Sequence, residues 1–238
     1  MSPEPTVTPE PPSTVERTPL QFRLRLEQNT SSQRPFIQSV HQCQCQPQEN
    51  NPTFLHTCGL QTAEWSQTHY SRVCIDVLDG ENSIHLSEGV FRITFVFHAS
   101  HQKGVVALYV PSPEPMLDRE TGWKKDEFAF WAGGQITCNG VSFHKNNAWN
   151  DGDQVTIELN MSSPRRTARL LINEQQQQTY FTGLPESLVF CAHSFLKGSS
   201  VTVQSLERLS LPLTTHGRRS LAYDPEVDFS KSTGYHWW

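Results

Sequence analysis

The sequence predicts an all-β protein built as a sandwich of two antiparallel sheets. Three observations support this prediction. Short segments alternate apolar and polar residues, which is the period of a strand with one buried face. Gly, Asn, Asp and Pro separate these segments, as turns between strands do. No stretch carries a capped apolar stripe with the 3.6-residue period of a helix. One apolar face per strand is what two sheets packed face to face require.

The sequence predicts little ordered structure in the first part of the chain. Residues 1–19 hold six prolines among Ser, Thr and Glu, and this composition buries too little apolar surface to offset the entropy of ordering. One possible short strand covers residues 20–26, where apolar and polar residues alternate. A Gln-rich stretch without clear periodicity follows. We therefore expect residues 1–53 to be a disordered Pro/Gln-rich leader that contains at most this one strand.

From about Phe54 onward, the sequence predicts a series of short strands. The clearest covers residues 90–97, where Phe91, Ile93 and Phe95 share one face with Phe97. The residues Asn139-Gly140 are the strongest hairpin signal in the chain. The other predicted strands cover residues 104–110, 127–131, 135–138, 141–144, 155–159, 167–173, 178–182, 188–193 and 200–206. We place the sandwich at 54–219 and an aromatic-ended tail at 220–238.

Composition excludes several classes of protein. No apolar run approaches the ~18–20 residues that a membrane span needs. The N-terminus, Met-Ser-Pro-Glu-Pro-Thr, lacks the basic and apolar regions of a secretory signal. A net charge of −5 gives no electrostatic footprint for nucleic acid. We therefore expect a cytoplasmic protein with neither a membrane nor a nucleic-acid partner.

One group of Cys and His residues has the ligand types of a zinc site. Its members are His41, Cys43, Cys45, His56 and Cys58. Their spacing differs from the C-x(2–4)-C and H-x(3–5)-H pairs that leave room for a turn at zinc. We therefore interpret them as incidental residues of a Gln-rich loop and predict no metal ligand in the chain.

The segment Trp149-x-Asp151-Gly152-Asp153-x-Val155 resembles the B30.2/SPRY domain, in which a Trp precedes a Gly-Asp turn that begins a strand. The resemblance extends from about residue 89 to 219. The segments 181–190 and 200–209 are similar to a divergent protist SPRY-like module that often lies C-terminal to a protein-kinase domain. The resemblance implies a concanavalin-like bent β-sandwich of two antiparallel sheets, with Trp149, Asp151, Gly152 and Asp153 as a structural motif. Where the family often has Asn-Gly, this chain has Asn173-Glu174 and then glutamines, so we expect a longer and looser loop there.

The sequence predicts no enzyme and no cofactor. It contains no kinase motif and no Gly-x-Ser-x-Gly elbow. Cys191 and His193 would share a sheet face, but we interpret them as a core thiol beside an edge imidazole rather than as a catalytic dyad. A glycosidase needs two carboxylates that face each other across a cleft. Asp151 and Asp153 are close in sequence, but a turn uses Asp for local backbone hydrogen bonds, and that role explains both.

A binding role remains, because SPRY domains recognise partners through loops at an edge of the sandwich, as the resemblance implies. The longest interruption between strands runs from residue 111 to 126. It contains Met116, Trp123, Lys124 and Lys125, and an aromatic residue beside cations is typical of an interface anchor. Alternatively, Trp123 covers the end of the core. The predicted partner is a protein or peptide.

Two other functions stay open at this point. Concanavalin-like folds also bind carbohydrate, so a lectin-like sandwich is the main alternative. The chain could also be a fragment of a longer kinase–SPRY chain. The aromatic residues from Tyr235 to Trp238 either dock on the domain or bind a partner, and the sequence leaves both readings open.

Overall fold

A computed structural model describes residues 14–27, 37–42, 61–65, 71–80, 82–110, 127–138, 141–144, 146–162, 164–215 and 220–224. In these ranges the regular structure consists entirely of strands, and no helix there is long and apolar enough to cross a membrane. The strands are β1 (Arg17–Pro19), β2 (Gln21–Glu27), β3 (Ile37–Gln42), β4 (Gln61–Trp65), β5 (Ser71–Asp79), β6 (Asn82–Ile84), β7 (Val90–His98), β8 (Gly104–Tyr109), β9 (Glu127–Trp131), β10 (Gln135–Cys138), β11 (Val141–His144), β12 (Gln154–Asn160), β13 (Thr167–Ile172), β14 (Gln175–Gln176), β15 (Thr179–Thr182), β16 (Val189–Ser194), β17 (Ser200–Leu209) and β18 (Leu221–Tyr223).

The strands form two sheets, which confirms the predicted all-β sandwich. The large sheet has the order β18-β15-β13-β12-β7-β17-β4-β3, with β1 paired to β17 and β14 paired to β13. The small sheet has the order β11-β10-β9-β8-β16-β5-β2, with β6 paired to β5. Every pairing is antiparallel except that of β15 with β18. All the strands predicted after residue 89 are present, and their ends agree within three residues.

The core lies between the two sheets and is built by alternation along each strand. In β7, Phe91, Ile93, Phe95 and Phe97 point into it, as the period of two predicts. The small sheet supplies residues such as Phe130. Its ring packs edge to face on that of Phe181 in the large sheet, with the ring centroids 5.0 Å apart. This packing fixes the two sheets against each other and so holds the ends of their strands in place.

Strands from before residue 54 belong to both sheets, in contrast to the expected leader. The possible strand at 20–26 is β2, which pairs with β5 of the small sheet along its whole length and buries Phe22. β1 pairs with β17, and β3 pairs with β4. The low apolar content of this region hid the pairing, because edge strands bury fewer side chains than central strands and carry more polar residues.

Several central strands, among them β7, β8, β13 and β16, are buried on both faces rather than on one. On the outer face of the small sheet, a second apolar cluster packs away from the core; its buried members are Cys74, Val105, Ala107, Tyr109, Ala129, Val189 and Cys191. The outer face of the large sheet buries charged residues instead, and the backbone of residues 213–214 donates hydrogen bonds to Glu158 there.

Candidate functional site

Three turns meet at one end of the sandwich. Residues 99–103 join β7 to β8, residues 150–153 precede β12, and residues 173–174 join β13 to β14. We call these turns, together with Trp131 and Phe195, the loop end. The turns converge because β7, β12 and β13 are neighbours in the large sheet, so that the end of β7, the start of β12 and the end of β13 lie side by side.

Asp151 holds the first two turns of the loop end together. Its Oδ1 accepts hydrogen bonds from the Ser100 backbone N–H at 3.0 Å and from Ser100 Oγ at 2.5 Å. Its Oδ2 accepts one from the His101 backbone N–H at 3.1 Å. Burial alone would raise the pKa of Asp151, but these hydrogen bonds and the nearby His101 outweigh it and lower the pKa. Asp151 therefore acts on a turn about 50 residues away, which corrects the expectation of purely local bonds.

The turn at 99–103 has an uncommon backbone. Ala99, His101 and Gln102 adopt positive φ angles of 51°, 47° and 61°. These angles lie in the left-handed region of the backbone, which residues other than glycine adopt at a cost in free energy. Such a conformation persists only where neighbouring contacts impose it, and strained residues of this kind concentrate at functional sites. The bonds from Asp151 impose it here, and Gln102 Nε2 adds a 3.0 Å bond to Asn150 Oδ1. The turn is therefore rigid while its side chains at 101–103 stay exposed.

The turn at Asn173-Glu174 is tight, so the expectation of a longer and looser loop is wrong. Both residues have positive φ angles, 48° and 65°, and Ile172 pairs directly with Gln175 across a two-residue connection. This is the geometry of a type I′ hairpin. Two side-chain interactions offset the cost of the missing glycine: Asn173 bonds the backbone N–H of Gln154 at 2.9 Å, and Glu174 forms an ion pair with Arg92.

The motif residues at 149–153 connect the loop end to the core. Trp149 is buried in the core beside Phe97. Gly152 has a φ of 88°, which only glycine adopts without strain, and its N–H donates to the Phe97 carbonyl at 2.9 Å. Asp153 accepts bonds from the Asn150 backbone at 2.7 Å and from Asn173 Nδ2 at 2.8 Å. One short segment thus ties the core to all three turns.

An aromatic pair lies beside these turns. Trp131 ends β9, Phe195 follows β16, and their rings are stacked with centroids 5.8 Å apart and an interplanar angle of 1°. Both are half-buried and pack on the outer face of the small sheet. Trp131 therefore does not lie between the sheets, whereas its neighbour Phe130 does. The loop end combines a fixed polar rim with a partly exposed aromatic surface.

A second group of chemically active side chains lies on the outer face of the small sheet. Glu127, Cys191 and His193 place one potential ligand atom each within 4.8 Å of one another, and all three are buried. His193 Nε2 lies 2.7 Å from Glu127 Oε1 and 3.6 Å from Cys191 Sγ. Glu127 also contacts buried Arg72, with Nη1 and Oε2 3.5 Å apart. We call Arg72, Glu127, Cys191 and His193 the outer-face cluster.

The position of His193 corrects the expected edge imidazole. β16 lies between β8 and β5 in the small sheet, and His193 is 1% exposed. The same ring nitrogen, Nε2, contacts both the thiol and the carboxylate. In a catalytic triad the carboxylate holds one nitrogen of the imidazole so that the other can take the nucleophile's proton. This arrangement does not provide that relay, so the contact of Cys191 with His193 is not a catalytic geometry.

Several predicted candidates lie outside the described residues. Met116, Trp123, Lys124 and Lys125 are among them, as are Cys43, Cys45, His56, Cys58 and the tail at 235–238. Among the five Cys and His residues with the ligand types of a zinc site, the structure describes only His41, and of His41 only the backbone, as part of β3. The segment 111–126 joins the ends of β8 and β9 that lie opposite the loop end.

Sequence reasoning missed most residues of both groups. Ser100 and His101 stand in a short polar turn that has no motif, and their role follows from a contact with Asp151. The sequence did contain a signal for Arg72 and Glu127, because each is a charged residue in a strand that is otherwise largely apolar. Only the pairing of β16 between β5 and β8 shows that their side chains share one face.

Comparison with known proteins places SPRY domains among the solved structures that this chain is similar to, in agreement with the sequence resemblance. The SPRY domain of human HERC1 is 13% identical, with a TM-score of 0.43 over 65% of this chain and 91% of that chain. A human SPRY domain is 17% identical, with a TM-score of 0.41 over 64% and 93%. The lectin UEA-II complexed with galactose is 10% identical, with a TM-score of 0.45 over 83% and 99%. No protein-family model and no curated protein matches the sequence.

Proposed function

We propose that this protein is a non-enzymatic binding module that holds a protein or peptide partner at the loops of its β-sandwich. The observation that carries the proposal is the rigid turn at 99–103, whose strained backbone is held by Asp151 while its side chains face solvent. A turn fixed in this way loses little conformational entropy when a partner binds. Rigid scaffolds that present functional loops are a common arrangement in binding proteins.

The surface around this turn suits a protein partner. His101, Gln102 and Lys103 offer exposed hydrogen-bonding and charged groups, and the stacked Trp131 and Phe195 offer a partly exposed aromatic surface at the same end. Protein interfaces commonly combine an aromatic anchor with a polar rim. A net charge of −5 favours this partner over nucleic acid. The cytoplasm is the proposed compartment, where the thiols of Cys74 and Cys191 would stay reduced.

The segment 111–126 remains a second proposed contact region. It carries Trp123 between the ends of β8 and β9, opposite the loop end. The strand ends that this segment joins are separated from the loop end by the six residues of β8. A test can therefore assign binding to one end or the other.

The experiment uses the full chain as bait in extract of its source cells, followed by affinity measurement with the recovered partner. One variant combines His101→Ala, Gln102→Ala and Lys103→Ala, and a second carries Trp123→Ala. Glu88→Ala is the matched control, because Glu88 is exposed at the end of the sandwich opposite the loop end.

We expect the triple variant to weaken binding at least tenfold, which corresponds to about 1.4 kcal/mol, while Glu88→Ala leaves it unchanged. Loss of binding in Trp123→Ala alone would assign the partner to 111–126 instead. A calcium-dependent hit on a glycan array, with no protein partner recovered, would favour the lectin-like alternative and overturn the proposal.

A further inference from the structure

The geometry points to a structural zinc site on the outer face of the small sheet, with Glu127, Cys191 and His193 as ligands and Cys74 as the fourth. Imidazole, thiolate and carboxylate are all zinc ligands, and a closed set of four is the usual form of a structural site. This assignment departs from the sequence prediction of no metal ligand. It does not depend on the function proposed for the loop end.

The strands bring these residues together from different parts of the chain. Cys191 and His193 lie two residues apart in β16 and share one face, while Glu127 comes from β9, with β8 between the two strands. The residue of β8 that pairs with Cys191 is Ala107. Its small side chain leaves room for the longer side chains of Glu127 and His193 to meet above the sheet. Donors held by paired strands are preorganised for a metal, in contrast to donors on loops.

One donor–donor distance matches the edge of a tetrahedral zinc site, and a second must lengthen to do so. With a Zn–S bond of about 2.3 Å and a Zn–N bond of about 2.0–2.1 Å, the S···N edge of a tetrahedron measures about 3.6 Å. Cys191 Sγ and His193 Nε2 are 3.6 Å apart. His193 Nε2 and Glu127 Oε1 are 2.7 Å apart, which is a hydrogen-bond distance. These two atoms would separate by about 0.6 Å when the ion binds between them. The imidazole of His193 stays neutral in this step, because its single proton moves from Nε2 to Nδ1.

Charge balance assigns Cys74 as the fourth ligand. Cys74 of β5 is buried and is the direct cross-strand partner of Cys191, and directly opposed residues have Cβ atoms about 4.5–5.5 Å apart. Its Sγ lies outside the group of donor atoms formed by Glu127, Cys191 and His193, so the Cys74 side chain must turn toward Cys191 to complete the site. Without a metal, buried Glu127 is balanced by Arg72. A doubly charged ion that displaces one proton from each of two thiols leaves the net charge of the cluster unchanged. With Cys191 as the only thiolate, one positive charge would stay buried beside Arg72, which is costly.

Two consequences follow for metal binding. Because the ion displaces two thiol protons, its affinity should rise steeply with pH below the ordinary thiol range. Because four protein groups complete the coordination, no position remains for water or substrate, so the site stabilises the sheet rather than catalysing a reaction. Zinc should therefore raise the melting temperature of the whole protein.

The test measures zinc content, cobalt absorption and thermal melting of the full chain. All variants carry Cys43→Ser, Cys45→Ser and Cys58→Ser, so that these cysteines add no thiolate signal. Cys191→Ser and His193→Gln remove ligands. Cys138→Ser is the matched control, because Cys138 is a buried strand cysteine that faces the core between the sheets.

We expect the triple-serine background to bind one equivalent of zinc and to give a thiolate-to-cobalt charge-transfer band with Co²⁺. Cys191→Ser and His193→Gln should lose at least about 100-fold in affinity, because even changes to the partners of metal ligands cost about 10–100-fold, while Cys138→Ser keeps it. Absence of the cobalt band in the triple-serine background overturns the assignment, whether or not the ligand variants fold. Because Cys191→Ser leaves Cys74 as the one remaining thiolate, a band that keeps its full intensity in Cys191→Ser overturns it as well.

Discussion

Asp151 shows how one side chain can organise a surface. It accepts three hydrogen bonds from Ser100 and His101, and in doing so it holds three non-glycine residues of that turn at positive φ. Its own neighbours Gly152 and Asp153 bond to the core strand β7 and to the turn at Asn173. The motif Trp-x-Asp-Gly-Asp is therefore more than a tight turn, since it joins the core to the loop end.

We predict that Asp151→Asn lowers the free energy of unfolding by about 1 kcal/mol near neutral pH, because an amide replaces a charged acceptor at a solvent-exposed position. The hydrogen bonds lower the pKa of Asp151 below its ordinary value of 3.8. The stabilisation is thus present above that value and is lost as the pH falls through the folded-state pKa.

Urea unfolding of the wild type and Asp151→Asn from about pH 7 down to about pH 3 checks this prediction. The difference between the two proteins should shrink toward the acid end of the series. A difference that stays constant over this range would show that the carboxylate charge contributes nothing. Glu88→Gln, an exposed carboxylate at the opposite end, serves as the control.

Gly104 marks a close contact where β8 begins at the loop end. A Cβ atom on Gly104 would lie 2.8 Å from Phe97 Cδ1, whereas one on Gly133 would have no neighbour within 4 Å. We predict that Gly104→Ala costs about 1–3 kcal/mol by overpacking. Gly133→Ala should change stability by less than about 1 kcal/mol. Thermal melting of both variants checks the prediction, and equal melting temperatures would contradict it.

At the scale of elements, strands that precede residue 54 belong to the sandwich. β2 covers the edge of β5 with seven residue pairs, and Arg25 binds Asp76 of β5 through Nε at 3.0 Å. Without β2, the edge of β5 would present unpaired backbone groups, and such edges promote aggregation. The sandwich therefore depends on a segment that composition alone assigns to a leader.

We predict that removal of residues 1–27 destabilises the protein by at least about 3 kcal/mol, because it removes β2 and the buried ring of Phe22. Removal of residues 1–13, which contain no part of β1 or β2, is the control and should change stability by less than about 0.5 kcal/mol. The denaturant concentrations at which the two shortened chains are half unfolded check this prediction. Equal midpoints would mean that β2 contributes nothing to the sandwich.

At the scale of the whole molecule, the sequence predicted the fold better than the site. Strict alternation in residues 90–97 and the Asn139-Gly140 signal each lead to an observed strand or pair of strands. Both signals are local, because alternation places the core side chains on one face of a strand and Asn-Gly suits the tight turn of a hairpin. The strand Ser71–Asp79 was not predicted, although its core residues Val73, Ile75 and Val77 alternate with Arg72, Cys74 and Asp76.

The sites depend on contacts between residues that are distant in the chain. Asp151 bonds a turn 50 residues earlier, and Glu127 meets His193 across the intervening strand β8. Neither contact has a signature in local sequence, since strand order in a sheet decides which outer-face residues become neighbours. The tight turn at Asn173-Glu174 was missed for a similar reason, because it relies on the distant side chain of Arg92.

The central claim is that the loop end holds the partner, and amide hydrogen exchange of the full chain with and without the recovered partner tests it most directly. We predict slower exchange in the peptides that contain residues 99–103 and 150–153 when the partner is bound, with no change in the core strand β7. Protection confined to residues 111–126, or no protection in any loop, would contradict the account.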